Sequence, residues 1–463
     1  MSAPSLPAAG TPAAGTPVAG TVQVPAQVPD LAAALATGAE EIVLEGVVQG
    51  GVEIDRPLRL RGMPGAVLRA EGGRTLVLSA DVQVSDLRIE NRTGGGVRVE
   101  AGAPVLERCV LAVGEVALSM DGAAAPVIRS CQVERCRTGL FAAGDAAPQV
   151  DELVIVASGG GMLFRGRARG LLRQVAILSG QYAAVEVREQ AAPVFEGLVV
   201  PAAATGALFL HEESAPELRE LIVQRSGIAS VEITDDCRAR ISGARLLGAG
   251  GSGLFIHGRA RPVLQGIEIV QPALAGVEAA EQADPTVDGL SVIEPRGGGL
   301  FLRDDSAGTW MDVQVRSAAL AGVEVAGRAH PELEGLVLFG GQQGGLWVHD
   351  AGRAEVLGAR FAHQLLAAVQ VSGGGALVLE DATIRDTRGG GLRAGEGAEL
   401  ALARVQVEQC GGEALSASGR ARVRWSGGGT DAAIVAGEDA VVALLGVAHA
   451  HTAVSGQGRI EVD

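Results

Sequence analysis

One apolar residue returns every 23 positions through the middle of this chain: Val185, Leu208, Val231, Leu254, Val277, Leu300, Val323, Leu346, Val369, Leu392 and Leu415. Ten successive steps pass without an insertion. Upstream the same frame continues, with slips of one or two residues, through Leu163, Leu140, Leu118 and Val97, and more loosely to Leu76. Inside each unit, the sixth residue after this position is small (Ala191, Ser214, Cys237, Ala260, Ala283, Ser306) and the eighth is often proline (Pro193, Pro216, Pro262, Pro285, Pro331). Apolar residues then fall ten, thirteen and fifteen places in, as in Leu264, Ile267 and Ile269. Steps of two within short stretches are strand spacings, because successive side chains in a strand point to opposite faces. A helical solenoid would need apolar residues at three-and-four spacing over ten or more positions, and the glycines and β-branched pairs deny it.

A 23-residue unit of three short strands cannot bury its apolar residues alone. Stacked unit on unit, the columns merge into one core. The expected fold is therefore all-β: a single-domain, right-handed parallel β-helix of about sixteen coils, a rod on the order of 75 Å long at the strand spacing. Residues 1–28 read as a disordered Pro/Ala/Gly tail and 29–463 as the β-helix domain, divided into a cap and first coils (29–75), regular coils (76–430) and degenerate coils (431–463). The segment "PDLAAALATGAEEI" (29–42) supplies a short helix to cover the open first coil.

The segments "GGVRVEAGAPVLERCVL" and "AGVEVAGRAHPELEGLVL", with the entry "DLAAALATGAEEIVLEGVVQGGVEIDRPLRLRGMPGAVLRAE", resemble right-handed parallel β-helix repeats of the pectin-lyase-like superfamily. The repeat pattern is most similar to non-catalytic, adaptor-type β-helix proteins. The resemblance spans residues 30 to 463 or so and implies the fold. It leaves activity open, since that superfamily holds polysaccharide lyases, hydrolases and epimerases beside binding proteins. The internal asparagine ladder common in the family is missing: Asn91 is the only asparagine in the chain.

Charge and composition narrow the partners. The 38 basic residues are all arginine, and 54 acidic residues bring the formal charge to −16, which argues against nucleic acid. No apolar run approaches a membrane span. The N-terminus lacks a basic and apolar signal segment, so a cytoplasmic location is expected. Five cysteines (Cys109, Cys131, Cys136, Cys237, Cys410) are too irregular for a disulfide or zinc framework and read as ordinary thiols, with Cys109 and Cys131 stacked inside. "HAH" (449–451) puts two imidazoles on one strand face without a third ligand. No metal or cofactor is expected.

The functional signal lies in the column one residue after the repeating position, which points outward. It reads Phe141, Phe164, Glu186, Phe209, Glu232, Phe255, Glu278, Phe301, Glu324, Trp347, Gln370, Arg393. Two residues later the aromatic coils carry His211, His257, Arg303 and His349. Three residues before the repeating position, the alternate coils carry Tyr182, Ile228, Leu274, Leu320 and Leu366. The true unit is thus 46 residues, two coils long. Phe209, Phe255, Phe301, Trp347, Ile228, Leu274 and Leu320, with His211, His257 and His349, define an apolar ridge suited to a protein partner or to self-association. The expected function is a non-enzymatic binding scaffold.

Two alternatives stand beside it. Evenly spaced aromatics and turn carboxylates suit a polysaccharide, and His257 with Arg303, Asp304 and Asp305 is the best catalytic cluster. Against catalysis, the constant coil length leaves no material for cleft walls. A narrow acidic rod could also imitate DNA, but aromatic coils interrupt its negative faces.

Overall fold

The computed structural model describes residues 20–449 and 451–463. Two parallel sheets run the length of a rod. One holds 19 strands, a single short strand from each successive rung, and the other holds 30, which makes about 18 turns. The count exceeds sixteen because rungs at Val52–Ile54, Ile434–Ala436 and Thr452–Val454 lie outside the regular frame.

The register is that of the repeat. Val231 pairs with Leu254 and Leu254 with Val277, so each repeating residue sits directly above the last, fully buried. In the second sheet Leu218, Ile241, Leu264, Val287, Trp310 and Leu333 stack in one inward column. Each rung contributes two strand segments there. In Val263–Val270 and Thr286–Ile293 they fuse across a bend where Gly266 and Gly289 take φ of 60° and 74°. The left-handed conformation also recurs where the short strand turns toward the second sheet: Asp235, Gly258, Glu281, Asp304 and Gly327 all have φ between 58° and 68°. Gly and Asp tolerate it best, and they hold it in most units, with Glu189, Glu212 and Glu281 taking it in others.

The frame needs one correction. Leu140 pairs with Met162, and Met162 with Val185. The repeating position of that rung is therefore Met162; Leu163 points outward and Phe164 inward, fully buried. Phe164 fits because Ala142, directly beneath it, is small, and its ring meets Phe195 edge-on at 5.8 Å. The outward aromatic column begins with Phe141 and skips this rung.

At the N-terminal end, helix α1 (Leu31–Ala36) lies over the first rung with Leu31 and Ala34 buried. Asp30 caps it, its carboxylate accepting from the Ala33 N–H at 2.7 Å. Arg56 closes the other end by donating to the carbonyls of Ala39 and Leu35. Residues 1–19 of the expected tail lie outside the described residues. Beyond them the expectation is corrected: β1 (Thr21–Val24) pairs in parallel with β2 (Glu41–Leu44), because its Val24 has core to cover and is fully buried. No helix among the described residues is long and apolar enough to cross a membrane.

Candidate functional site

The outward column is a row of tiles. Phe209, Phe255 and Trp347 each stack on the histidine two residues ahead, His211, His257 and His349, with ring centroids 4.1 to 4.3 Å apart and planes within 29°. Each imidazole Nε2 then meets the outward glutamate of the preceding coil: Glu186 at 3.3 Å, Glu232 at 3.2 Å and Glu324 at 3.1 Å. Arg303 replaces histidine in the fourth tile, lying 5.9 Å over the Phe301 ring and donating to Glu278 at 3.0 Å. Glu, His or Arg, and aromatic ring thus form one unit that joins two coils every 46 residues. The hydrogen bond from His211 holds the Glu186 carboxyl below its ordinary pKa.

These aromatics are half-buried, and one face of each ring is occupied. The outermost apolar surface belongs instead to Tyr182, Ile228, Leu274, Leu320 and Leu366, exposed at 42 to 58 %. They stand as teeth on alternate coils. On the coils between, Gly251, Gly297 and Gly389 hold the same position, and a Cβ added to Gly297 would come within 2.8 Å of the Leu274 backbone. At Gly297 and Gly389 the small residue is steric, while Thr205 and Gln343 hold the position on two other coils. Tyr182 and Leu366 extend the stripe beyond the seven apolar residues of the expected ridge.

The turn acids have structural work of their own. Gly166 N–H donates to the Glu189 carboxylate at 2.7 Å, Glu189 N–H to Glu212 at 2.9 Å, and Glu212 N–H to Asp235 at 3.0 Å. Gly258 to Glu281 and Glu281 to Asp304 repeat the pattern at 3.0 and 3.2 Å. This carboxylate ladder satisfies backbone N–H groups from one coil to the next along the exposed turn. Asn91 serves one corner alone, its amide bonded to the carbonyls of Gly72 and Gly95 and its oxygen to Gly94 N–H.

His257, Arg303, Asp304 and Asp305 are not gathered into one cluster. His257 faces Glu232 and Thr234 on the coil below, while Arg303 binds Glu278 and Asp304, and Asp305 binds Arg328 at 2.6 Å. Arg328 holds the Asp305 carboxyl below its usual range, as Arg259 does for Asp236 and Arg167 for Asp145. A general acid at neutral pH requires a carboxyl displaced the other way.

All five cysteines are free. Burial pushes the thiols of Cys136 and Cys237 up to about 12 and about 11, leaving them poor nucleophiles. Among the described residues no three His, Cys, Asp or Glu side chains converge as a metal site. His449 and His451 do not share a strand face: they precede the strand Thr452–Val454, where the His449 imidazole meets the Val447 carbonyl and the His451 carbonyl accepts from Ile434 N–H. The bond to its own chain, made before the strand begins, sets that geometry.

No family model matches the sequence, and no curated protein matches it. Among solved structures, the chain is similar to one described as the Vag8-C1 inhibitor complex, at 15 % identity over 91 % of this chain and 100 % of that one, with a TM-score of 0.41. It is also similar to the catalytic domain of a GH87 alpha-1,3-glucanase in complex with nigerose (9 % identity, 88 % of this chain and 67 % of that one, TM-score 0.29). The PL6 family alginate lyase AlyGC is a further likeness (9 %, 96 % and 100 %, TM-score 0.28). At this distance none of them speaks to activity. The fold, a parallel β-helix, rests on the strand register itself.

Proposed function

We propose that this protein is a non-enzymatic binding scaffold that engages a protein partner along the exposed side of its two-coil ridge. The observation that carries the reading is the stripe Tyr182, Ile228, Leu274, Leu320 and Leu366: large apolar side chains left in water at one fixed period of two coils, whereas exposed apolar residues elsewhere, such as Val47, Phe339 and Leu357, follow no such period. The half-covered tiles beside it, Phe209 through Trp347, form a rigid flank, and interface cores favour such anchored aromatics.

Polysaccharide binding or turnover is the competing reading. The stacked histidines weigh against it, because the ring face that a sugar would use is taken. So does the commitment of the turn carboxylates to backbone N–H groups and arginines. DNA mimicry finds less support still, since arginines neutralise many of the outward acids.

The test replaces Ile228, Leu274 and Leu320 together with serine. Partner recovery and sedimentation mass are compared with the parent protein, and loss of a partner or of an assembled species is expected. If both stay the same, the scaffold reading is wrong. Turnover on a polysaccharide panel, lost in Asp304→Ala or Asp305→Ala, would replace it with an enzyme.

A further inference from the structure

The stripe has a metric, and the metric selects an occupant. Its teeth recur every two coils, which at the spacing of stacked strands is about 9.6 Å. An extended β-strand presents same-face side chains about 6.7 Å apart and falls out of step by the second tooth. Two turns of α-helix advance about 10.8 Å, an error of about 1.2 Å per tooth that reaches half a spacing over the four intervals from Tyr182 to Leu366. A polyproline II helix advances about 9.3 Å per three-residue turn, and its error over the same four intervals is only about 1.2 Å in all. Resting on the binding-scaffold reading above, we infer that the stripe Tyr182, Ile228, Leu274, Leu320 and Leu366 is a docking track for a proline-rich segment of a separate chain, one polyproline II turn per two-coil unit.

One further observation points the same way. The track offers side chains rather than backbone: along the rod the strands are already paired on both edges with the rungs above and below. A polyproline II ligand carries a solvated backbone and needs no ladder partner, and it packs on apolar and aromatic surface having little conformational entropy left to lose.

A second copy of the chain would share the period, but the contact is too small. A stripe about 38 Å long and roughly 10 Å wide offers about 400 Å² per partner, half of the approximately 800 Å² of a standard stable interface. It does match a single extended segment of about 13 residues.

The chain's own first 19 residues hold four prolines, Pro4, Pro7, Pro12 and Pro17. Nineteen residues span at most about 68 Å, however, and Leu366 stands some fifteen rungs, about 72 Å, from the start of β1. These nineteen residues therefore stop short of the last tooth, Leu366.

The experiment uses the full chain and fluorescent all-proline peptides of 7, 10, 13 and 16 residues, with a Gly/Ser peptide of 13 as control, read by anisotropy. Affinity is expected to rise with each added turn up to 13 residues and then level off. Leu274→Ser and Leu320→Ser should each weaken the 13-residue peptide by about 3- to 10-fold, and Leu366→Ser should weaken it while leaving the 7-residue peptide within twofold. Thermal melts of these surface variants should match the parent.

No preference for proline over Gly/Ser, or equal binding by the serine variants, overturns the proposal. Binding that appears only after Pro4, Pro7, Pro12 and Pro17 are replaced by glycine overturns it in favour of the chain's own tail. A concentration-dependent dimer abolished by Leu274→Ser overturns it in favour of a second copy. In that last case the scaffold reading survives; if the serine variants change no association of any kind, both readings fall together.

Discussion

Two outward apolar columns share one 46-residue period and part company in their surroundings. Phe209, Phe255, Phe301 and Trp347 carry the larger side chains, yet each is half-buried under a histidine or arginine anchored to a glutamate one coil back. Ile228, Leu274 and Leu320 are smaller and stand free, over coils narrowed to glycine or a polar residue. The residue that looks most conspicuous in the sequence is therefore part of the wall, and the plainer aliphatic residue is the part left for a partner. Exposure follows from what lies across the coil boundary, not from hydrophobicity.

A graded set of truncations would break this comparison most sharply. The inward Phe164 fixes the top of the scale: Phe164→Ala opens a core cavity against Phe195 and should cost about 3–5 kcal/mol, read from the urea midpoint. Phe255→Ala should cost about 1–2 kcal/mol in the same measurement, as it removes a half-buried ring and its stacked imidazole contact. If it costs nothing, the tiles are ornament and the aromatics return as candidates for the exposed ridge.

Acid should act on the tiles and not on the teeth. Glu186 has a carboxyl pKa depressed in the folded state by His211, so its contribution is present above the ordinary glutamate value of about 4.3 and disappears as pH falls through the folded value. Partial exposure of the pair keeps that contribution under about 1 kcal/mol. Melting temperature followed from pH 6 to pH 3 should fall less steeply in His211→Ala than in the parent. An unchanged slope would show that the pair does not couple the two coils. Smallest of all, Leu274→Ser should leave stability within about 0.5 kcal/mol, since its side chain is 57 % exposed. A larger loss on thermal melting would move the tooth into the wall.

The repeat was fully legible in the sequence between Val185 and Leu415, where the frame never slips. It failed at Leu163, where "GGMLF" offers two adjacent apolar residues and only the space above Ala142 decides that Met162 and Phe164 turn inward. The tile partners were legible in principle. Every aromatic coil with histidine or arginine two places on follows a coil with glutamate in the outward column, a diagonal offset of 25 residues against a period of 23.

What the sequence determined by itself was the coil, because a period of 23 with strand spacing leaves stacking as the way to bury its apolar columns. The tertiary structure alone decided which outward residues are covered. Cover depends on contacts between coils, where imidazole meets carboxylate and glycine admits the neighbouring backbone, and those contacts exist only once the rungs are stacked in register.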